Sequence, residues 1–416
     1  MSQQSISDEA TTPIAAVTVP ETPSVSGQSD DRPSSSWRKA SVEVLPIYLA
    51  THIAFIVLTY LATLFSLGNF SVNSLHLSTL WEAWNRWDTG WYTQIATQGY
   101  AHAVSTTWGF FPLFPILERA LAFVVRDPFI AGLIISNAAT FGLFVVLYRL
   151  VAEDFTPDRA WRTVLYLAVF PTAFFFAAAY NEAIFLFFAL LSFYYMRKGH
   201  WWIACLFTFL ASLTRSTAAC LFVPFAYEYF RQLNFQWRKI DWHILSAIGI
   251  VGGTVIFMIY GYYMTHDALA FEHVQAQGDW HHFLTFPGIA LLRALSVIRH
   301  NPILSFASIH NVMDLIPGLF ILGVLLLSFV GPWKLKREYW AYPFYGLAVF
   351  LMVILVPEQG TFPIASLSRC MLEAFPAFVV LAAIGERRNF NIYYLAVCLP
   401  LLAFWLLQWL TGAWIV

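Results

Sequence analysis

Apolar stretches of ~18–24 residues recur between residues 42 and 411, without the period-two alternation of a membrane barrel. Each is long enough, at ~1.5 Å per helical residue, to cross a hydrocarbon core of ~30 Å. Of 416 residues, 59% are apolar and only 11% charged, with a mean hydropathy of +0.63. A soluble fold has too few charges here to cover that apolar surface. The balance of 23 basic against 24 acidic residues excludes a strong basic field for nucleic acid. The expected class is an all-α polytopic membrane protein with about ten or eleven transmembrane or half-membrane helices.

Residues 1–40 differ in kind. Ser, Thr, Pro and Gln dominate, and no aromatic precedes Trp37. Such a segment is expected to be a disordered tail. It lacks the basic start and short apolar core of a signal peptide. Arg32, Arg38 and Lys39 precede the first apolar run, so the positive-inside bias places the tail in the cytoplasm. Residues 41–416 form the membrane domain. Cys205, Cys220, Cys370 and Cys398 stand alone, without metal or redox spacing.

The basic clusters set the trace. Crossings are expected at 42–67, 129–150, 163–179, 181–196, 242–264, 311–330, 339–356, 370–385 and 392–411. Outer loops then fall at 68–128, 265–310 and 357–369. The first contains Trp81, Trp84, Trp87, Trp91 and Trp108, which suit the headgroup region. Within it, 110–125 carries Glu118-Arg119 at its centre and reads as an outer or re-entrant helix that does not cross. Residues 201–230 have basic clusters on both flanks but too few residues for two crossings. Two short helices meeting at Leu213-Thr214-Arg215-Ser216-Thr217 are expected, with Arg215 facing protein or water.

Polar residues that could carry chemistry cluster on the outer side. Asp88, in Trp87-Asp88-Thr89-Gly90-Trp91-Tyr92, is either a helix cap or a general base among rings that could stack on a sugar. Glu182, in Tyr180-Asn181-Glu182, either favours its helix N-terminus or lines a pocket. Arg215 could hold a phosphate through its two-pronged donor set or pair with a buried carboxylate. Arg369 is a second phosphate candidate, or an interfacial Arg that snorkels. The six His of the second outer segment show no metal-ligand spacing, so no metal is expected. Asn69-Phe70-Ser71 is a glycosylation sequon of low specificity.

The chain resembles the PIG-V-type mannosyltransferases and their prokaryotic relatives, within the multi-spanning C-type glycosyltransferases. The resemblance rests on Trp87 to Tyr92 with Ile95, Gly99 and Tyr100. It continues with Phe110-Phe111-Pro112-Leu113-Phe114-Pro115, then Phe170-Pro171-Thr172-Ala173-Phe174-Phe175-Phe176 with Tyr180-Asn181-Glu182. Leu213 to Thr217, Ala270-Phe271 with Gln275-Ala276-Gln277 and Trp280, and Ser368-Arg369 with Ala374-Phe375-Pro376 follow in family order. Asn181 stands where relatives often carry Thr or Ser, and Cys370 where an aromatic commonly follows the Arg.

The resemblance implies an inverting glycosyltransferase, by expectation a mannosyltransferase. Its donor would be a polyprenyl- or dolichyl-phosphate sugar, and its acceptor a hydroxyl of an extracytoplasmic lipid or glycan. No cofactor or metal is implied. Asp88 would be the base, Arg215 and Arg369 the phosphate contacts, and Trp87, Trp91, Tyr92, Tyr180 and Glu182 the pocket. The alternative is a transporter or flippase for a lipid-linked sugar, although no internal repeat is visible.

Overall fold

The computed structural model describes residues 36–66, 77–101, 105–277 and 281–413. Those residues form seventeen α-helices and no strand. The sequon at Asn69, most of the 1–40 tail, and Trp280 lie outside the described residues. Five helical stretches are long and apolar enough to cross a membrane: Trp37–Phe65, Pro128–Asp154, Trp242–Thr265, Phe306–Leu327 and Arg388–Leu410. They belong to α1 (Trp37–Ser66), α5 (Pro128–Asp154), α10 (Ile248–Thr265), α13 (Phe306–Leu327) and α17 (Arg388–Leu410). Six shorter helices complete the bundle: α6 (Pro157–Ala168), α7 (Glu182–Arg197), α8 (Trp201–Ser212), α9 (Phe222–Gln232), α14 (Ala341–Leu355) and α16 (Phe375–Ile384). Large apolar side chains face outward along the long helices, Ile53, Ile56, Ile259 and Ile316 among them. This is the surface of an integral membrane protein, which lipid covers.

Local chemistry sets the helix starts. Asp127 caps α5 by accepting from the Phe129 and Ile130 N–H groups, with Pro128 at the first helical position. Thr156 and Pro157 repeat the device for α6. Gly249 and Gly253, one turn apart, let α10 press onto α8. A Cβ at either would overlap the Cys205 carbonyl or the Ser212 and Leu213 atoms.

The basic loops gather at one end of the bundle. Arg149 lies over the Trp37 ring and pairs with Glu153, which also pairs with Lys198. Arg197 joins Asp154 at 2.7 Å to Glu228 at 2.8 Å, and Arg231 pairs with the same Glu228. Tyr227 donates to the Arg337 carbonyl. Arg159 and Arg162 donate to carbonyls of α16.

The expected crossing at 370–385 is helical only over Phe375–Ile384, about 15 Å and too short to cross, and two further segments depart from simple crossings. The expected crossing at 163–179 is helical only to Ala168. Residues 169–181 then run irregularly, with every residue buried and a 3-10 turn at Ala173–Phe176. Irregular backbone survives in such a place only if its polar groups are satisfied by protein. A polar stripe on α5 does this. Thr140, Asn137 and Ser136 donate to the carbonyls of Phe176, Ala177 and Tyr180 at 2.7, 3.0 and 2.9 Å.

The second segment is 201–230. Helix α8 stops at Ser212, Arg215 is extended, a 3-10 turn covers Ser216–Leu221, and α9 returns. Both outer ends lie at the basic-loop end, as the flanking charges require. The Leu213 carbonyl accepts from the Leu113 N–H at 3.0 Å, at the start of α4 (Leu113–Val125). With 13 residues, α4 is about 20 Å long, too short to cross. Arg126, at φ 67°, ends it, and the chain turns back into α5.

Candidate active site

The site lies at the end of the bundle opposite the basic loops and joins four separate stretches of chain. The first is the turn into α3 (Asp88–Gln98). Trp84 donates to Thr59 of α1 at 3.0 Å. Arg86 clamps the Leu410 carbonyl at the end of α17 with two hydrogen bonds. Trp87 is the N-cap residue, at φ 49°, a strained value for a bulky side chain. Asp88 is therefore inside the first helical turn, and its carboxylate makes no cap. Its N–H donates to the Tyr180 hydroxyl at 3.1 Å.

The Asp88 carboxylate points instead at Arg369, with Oδ2 3.0 Å from Nη1. Arg369 leaves α15 (Leu367–Cys370) and lies over the Phe175 and Tyr180 rings at 5.2 and 5.7 Å. Its Nε is 3.5 Å from Glu182 Oε1. The same Glu182 oxygen is 2.6 Å from Arg215 Nη1, which also donates to Asn181 Oδ1 at 2.8 Å. Arg215 Nε pairs with Glu373 at 2.9 Å. The result is an alternating chain: Asp88, Arg369, Glu182, Arg215, Glu373. Three carboxylates meet two guanidiniums.

Exposure separates these carboxylates. Glu182 and Glu373 side chains are 2% and 1% exposed, whereas Asp88 keeps 25%. Of the three, only Asp88 is open to solvent. Burial is the largest influence on its carboxyl and pushes its pKa up. Arg369 pulls against that, and Glu182 adds to it. A carboxylate made more basic in this way is a better proton acceptor.

The aromatic candidates divide by role. Trp87, next to Asp88, is 47% exposed. Trp91 stacks on Phe110. Tyr92 is buried edge-on against Phe110, Phe114 and Tyr180, so it packs the site's wall. Tyr180 is buried, and its hydroxyl links Asp88 N–H to the Arg86 carbonyl. Among the described residues no group of His, Cys, Asp and Glu has metal-holding geometry. His273, for instance, is engaged by Asp267 at 2.7 Å.

Glu373 and Asn181 are partners that the sequence reading left out of the site. A signal existed for Glu373: it is the lone acid inside the apolar run 370–385, and a buried ionisable residue needs a partner. Asn181 was visible only as a motif position.

No family model matches the chain. Over 199 residues, 47% of this chain, it is 24% identical to GPI mannosyltransferase 2 of Schizosaccharomyces pombe. That match covers 42% of the relative, so this chain aligns with less than half of its length. The fold is also similar to the crystal structure of the Archaeoglobus fulgidus oligosaccharyltransferase, with a TM-score of 0.44 and 12% identity, over 87% of this chain and 55% of that one.

Proposed function

We propose that this chain is a membrane glycosyltransferase of the C-type fold that moves mannose from a polyprenyl-phosphate donor to a hydroxyl on a lipid or glycan acceptor. The observation that supports it best is the Asp88–Arg369 pair. A partly exposed carboxylate and a guanidinium, 281 positions apart in the chain, sit 3.0 Å from each other. One suits a base and the other a phosphate. The likeness to a mannosyltransferase supports the choice of sugar. The gathering of basic loops at the other end supports an extracytoplasmic site and a cytoplasmic N-terminus.

In this reading the donor phosphate takes Arg369, whose Nε makes only the 3.5 Å ion pair with Glu182. Asp88 is released as Arg369 turns to the phosphate. The acceptor oxygen attacks C1 of the sugar from the face opposite the phosphate, and its proton passes to Asp88. The bond from C1 to the phosphate oxygen breaks, and polyprenyl phosphate leaves with the electron pair. The anomeric centre inverts. Arg215 supplies the second positive charge, one step further in, and holds Glu182 in place. Trp87 and Trp91 border the sugar.

Asp88→Asn tests this. The amide is nearly isosteric but is no base, so transfer of radiolabelled mannose should fall ~10²–10⁴-fold while folding and donor binding persist. Retention of more than about half the activity would remove Asp88 from the mechanism.

A further inference from the structure

We propose that Asp314 is a positioning residue that aims Arg369 at the donor phosphate, an inference that rests on the glycosyltransferase reading above. Arg369 belongs to α15, a helix of only four residues. A single turn has no strength of its own, so tertiary contacts must set its direction. They come from two sides. On α13, Asp314 Oδ1 accepts both the N–H of Ser368 at 2.9 Å and its hydroxyl at 2.7 Å. From the irregular segment, Thr172 donates to the Ser368 carbonyl at 3.1 Å. All three polar groups of the residue before Arg369 are thus held.

The grip has a second point. One turn along α13 from Asp314 is Gly318, where a Cβ would overlap the Leu367 side chain. Asp314 and Gly318 present one face to α15: the first binds Ser368 and the second admits Leu367. Ser366, at φ 64°, turns the chain into this seat.

A purely structural contact here would be cheaper with apolar residues. Asp314 is fully buried, and a buried carboxylate is costly unless its hydrogen bonds are needed. His310, one turn back, stands beside the other oxygen, with Nδ1 3.8 Å from Asp314 Oδ2 in a long ion pair. Both hydrogen bonds that Asp314 Oδ1 accepts come from the residue that launches Arg369.

The test uses the full-length protein in detergent, with binding of polyprenyl phosphate and thermal stability read on each variant. Asp314→Leu should weaken polyprenyl phosphate binding ~10–100-fold, the loss of one charge-assisted hydrogen bond from a misdirected Arg369 to the phosphate. Asp314→Asn should come within about threefold of wild type, because its amide oxygen can accept the same two bonds. Ser368→Ala, a milder change that keeps the N–H bond, should fall between them. In an Arg369→Ala background, Asp314→Leu should cost binding less than twofold, and the two changes should lower the melting temperature by less than the sum of their separate effects. Additive effects on melting would overturn the proposal, as would Asp314→Asn behaving like Asp314→Leu. If the wild type fails to bind polyprenyl phosphate, the donor reading falls. The melting cycle then still decides whether Asp314 acts through Arg369.

Discussion

Arg215→Ala should destabilise this protein before it alters donor recognition. Arg215 is 2.6 Å from Glu182 and 2.9 Å from Glu373, two carboxylates with almost no exposure. Glu182 keeps Arg369 at 3.5 Å after the change. Glu373 has no other ion pair among the described residues, so it is the stranded charge. Breaking a buried pair costs ~3–5 kcal/mol. The Asn181 oxygen also loses its donor, which adds about 1 kcal/mol. Arg215→Lys keeps the charge but cannot fork to both carboxylates, so it should lie between. The informative variant is Arg215→Ala with Glu373→Gln. Removing the stranded charge should restore more than half of the lost stability. Thermal unfolding in detergent, with donor binding on the same samples, checks this. An Arg215→Ala protein as stable as wild type, but with donor affinity down ~10–100-fold, would refute the reasoning. Arg215 would then be the principal grip on the phosphate.

Other outcomes follow from the same structure. Glu118 is fully buried in α4 without a hydrogen-bond partner among the described residues, and burial pushes its pKa from 4.5 up to about 9. The native state then holds a proton that the unfolded chain releases above about 4.5. Its share of stability is whole below that pH and is lost as pH rises to about 9, at about 1.4 kcal/mol per unit. Glu118→Gln should flatten melting temperature against pH across that window, and an unchanged slope would rule Glu118 out as its source. Thr140→Val removes the donor 2.7 Å from the Phe176 carbonyl and should cost ~1–3 kcal/mol in thermal unfolding. A neutral result would mean that the 169–181 backbone is satisfied by other means. For orientation, a Cys at Thr106 should react with an impermeant thiol reagent in intact cells, and one at Gln236 only after the membrane is opened. Labelling of Gln236→Cys in intact cells would reverse the assignment of sides.

Much of the architecture was legible because lipid imposes simple rules. Length and hydropathy mark the long helices, and the basic loops mark one end. The break at Leu213 to Thr217 could be read by counting: thirty residues between two basic clusters are too few for two crossings. Asp88, Glu182, Arg215 and Arg369 stood out because charged groups near a membrane core need a reason to be there.

What the sequence could not decide was how these groups pair. Asp88 as cap or base, and Arg215 as phosphate grip or ion pair, are equivalent in a one-dimensional reading. The fold places the Asp88 carboxylate away from its own helix, on a guanidinium 281 positions away. It closes Arg215 between Glu182 and Glu373. Hydropathy also could not show that 169–181 is not helical, because a buried irregular segment is as apolar as a crossing helix. Its backbone is satisfied by Ser136, Asn137 and Thr140, from a different stretch of chain. Periodicity and composition are set by neighbours in sequence, whereas ion pairs and donated hydrogen bonds depend on which distant segments pack together.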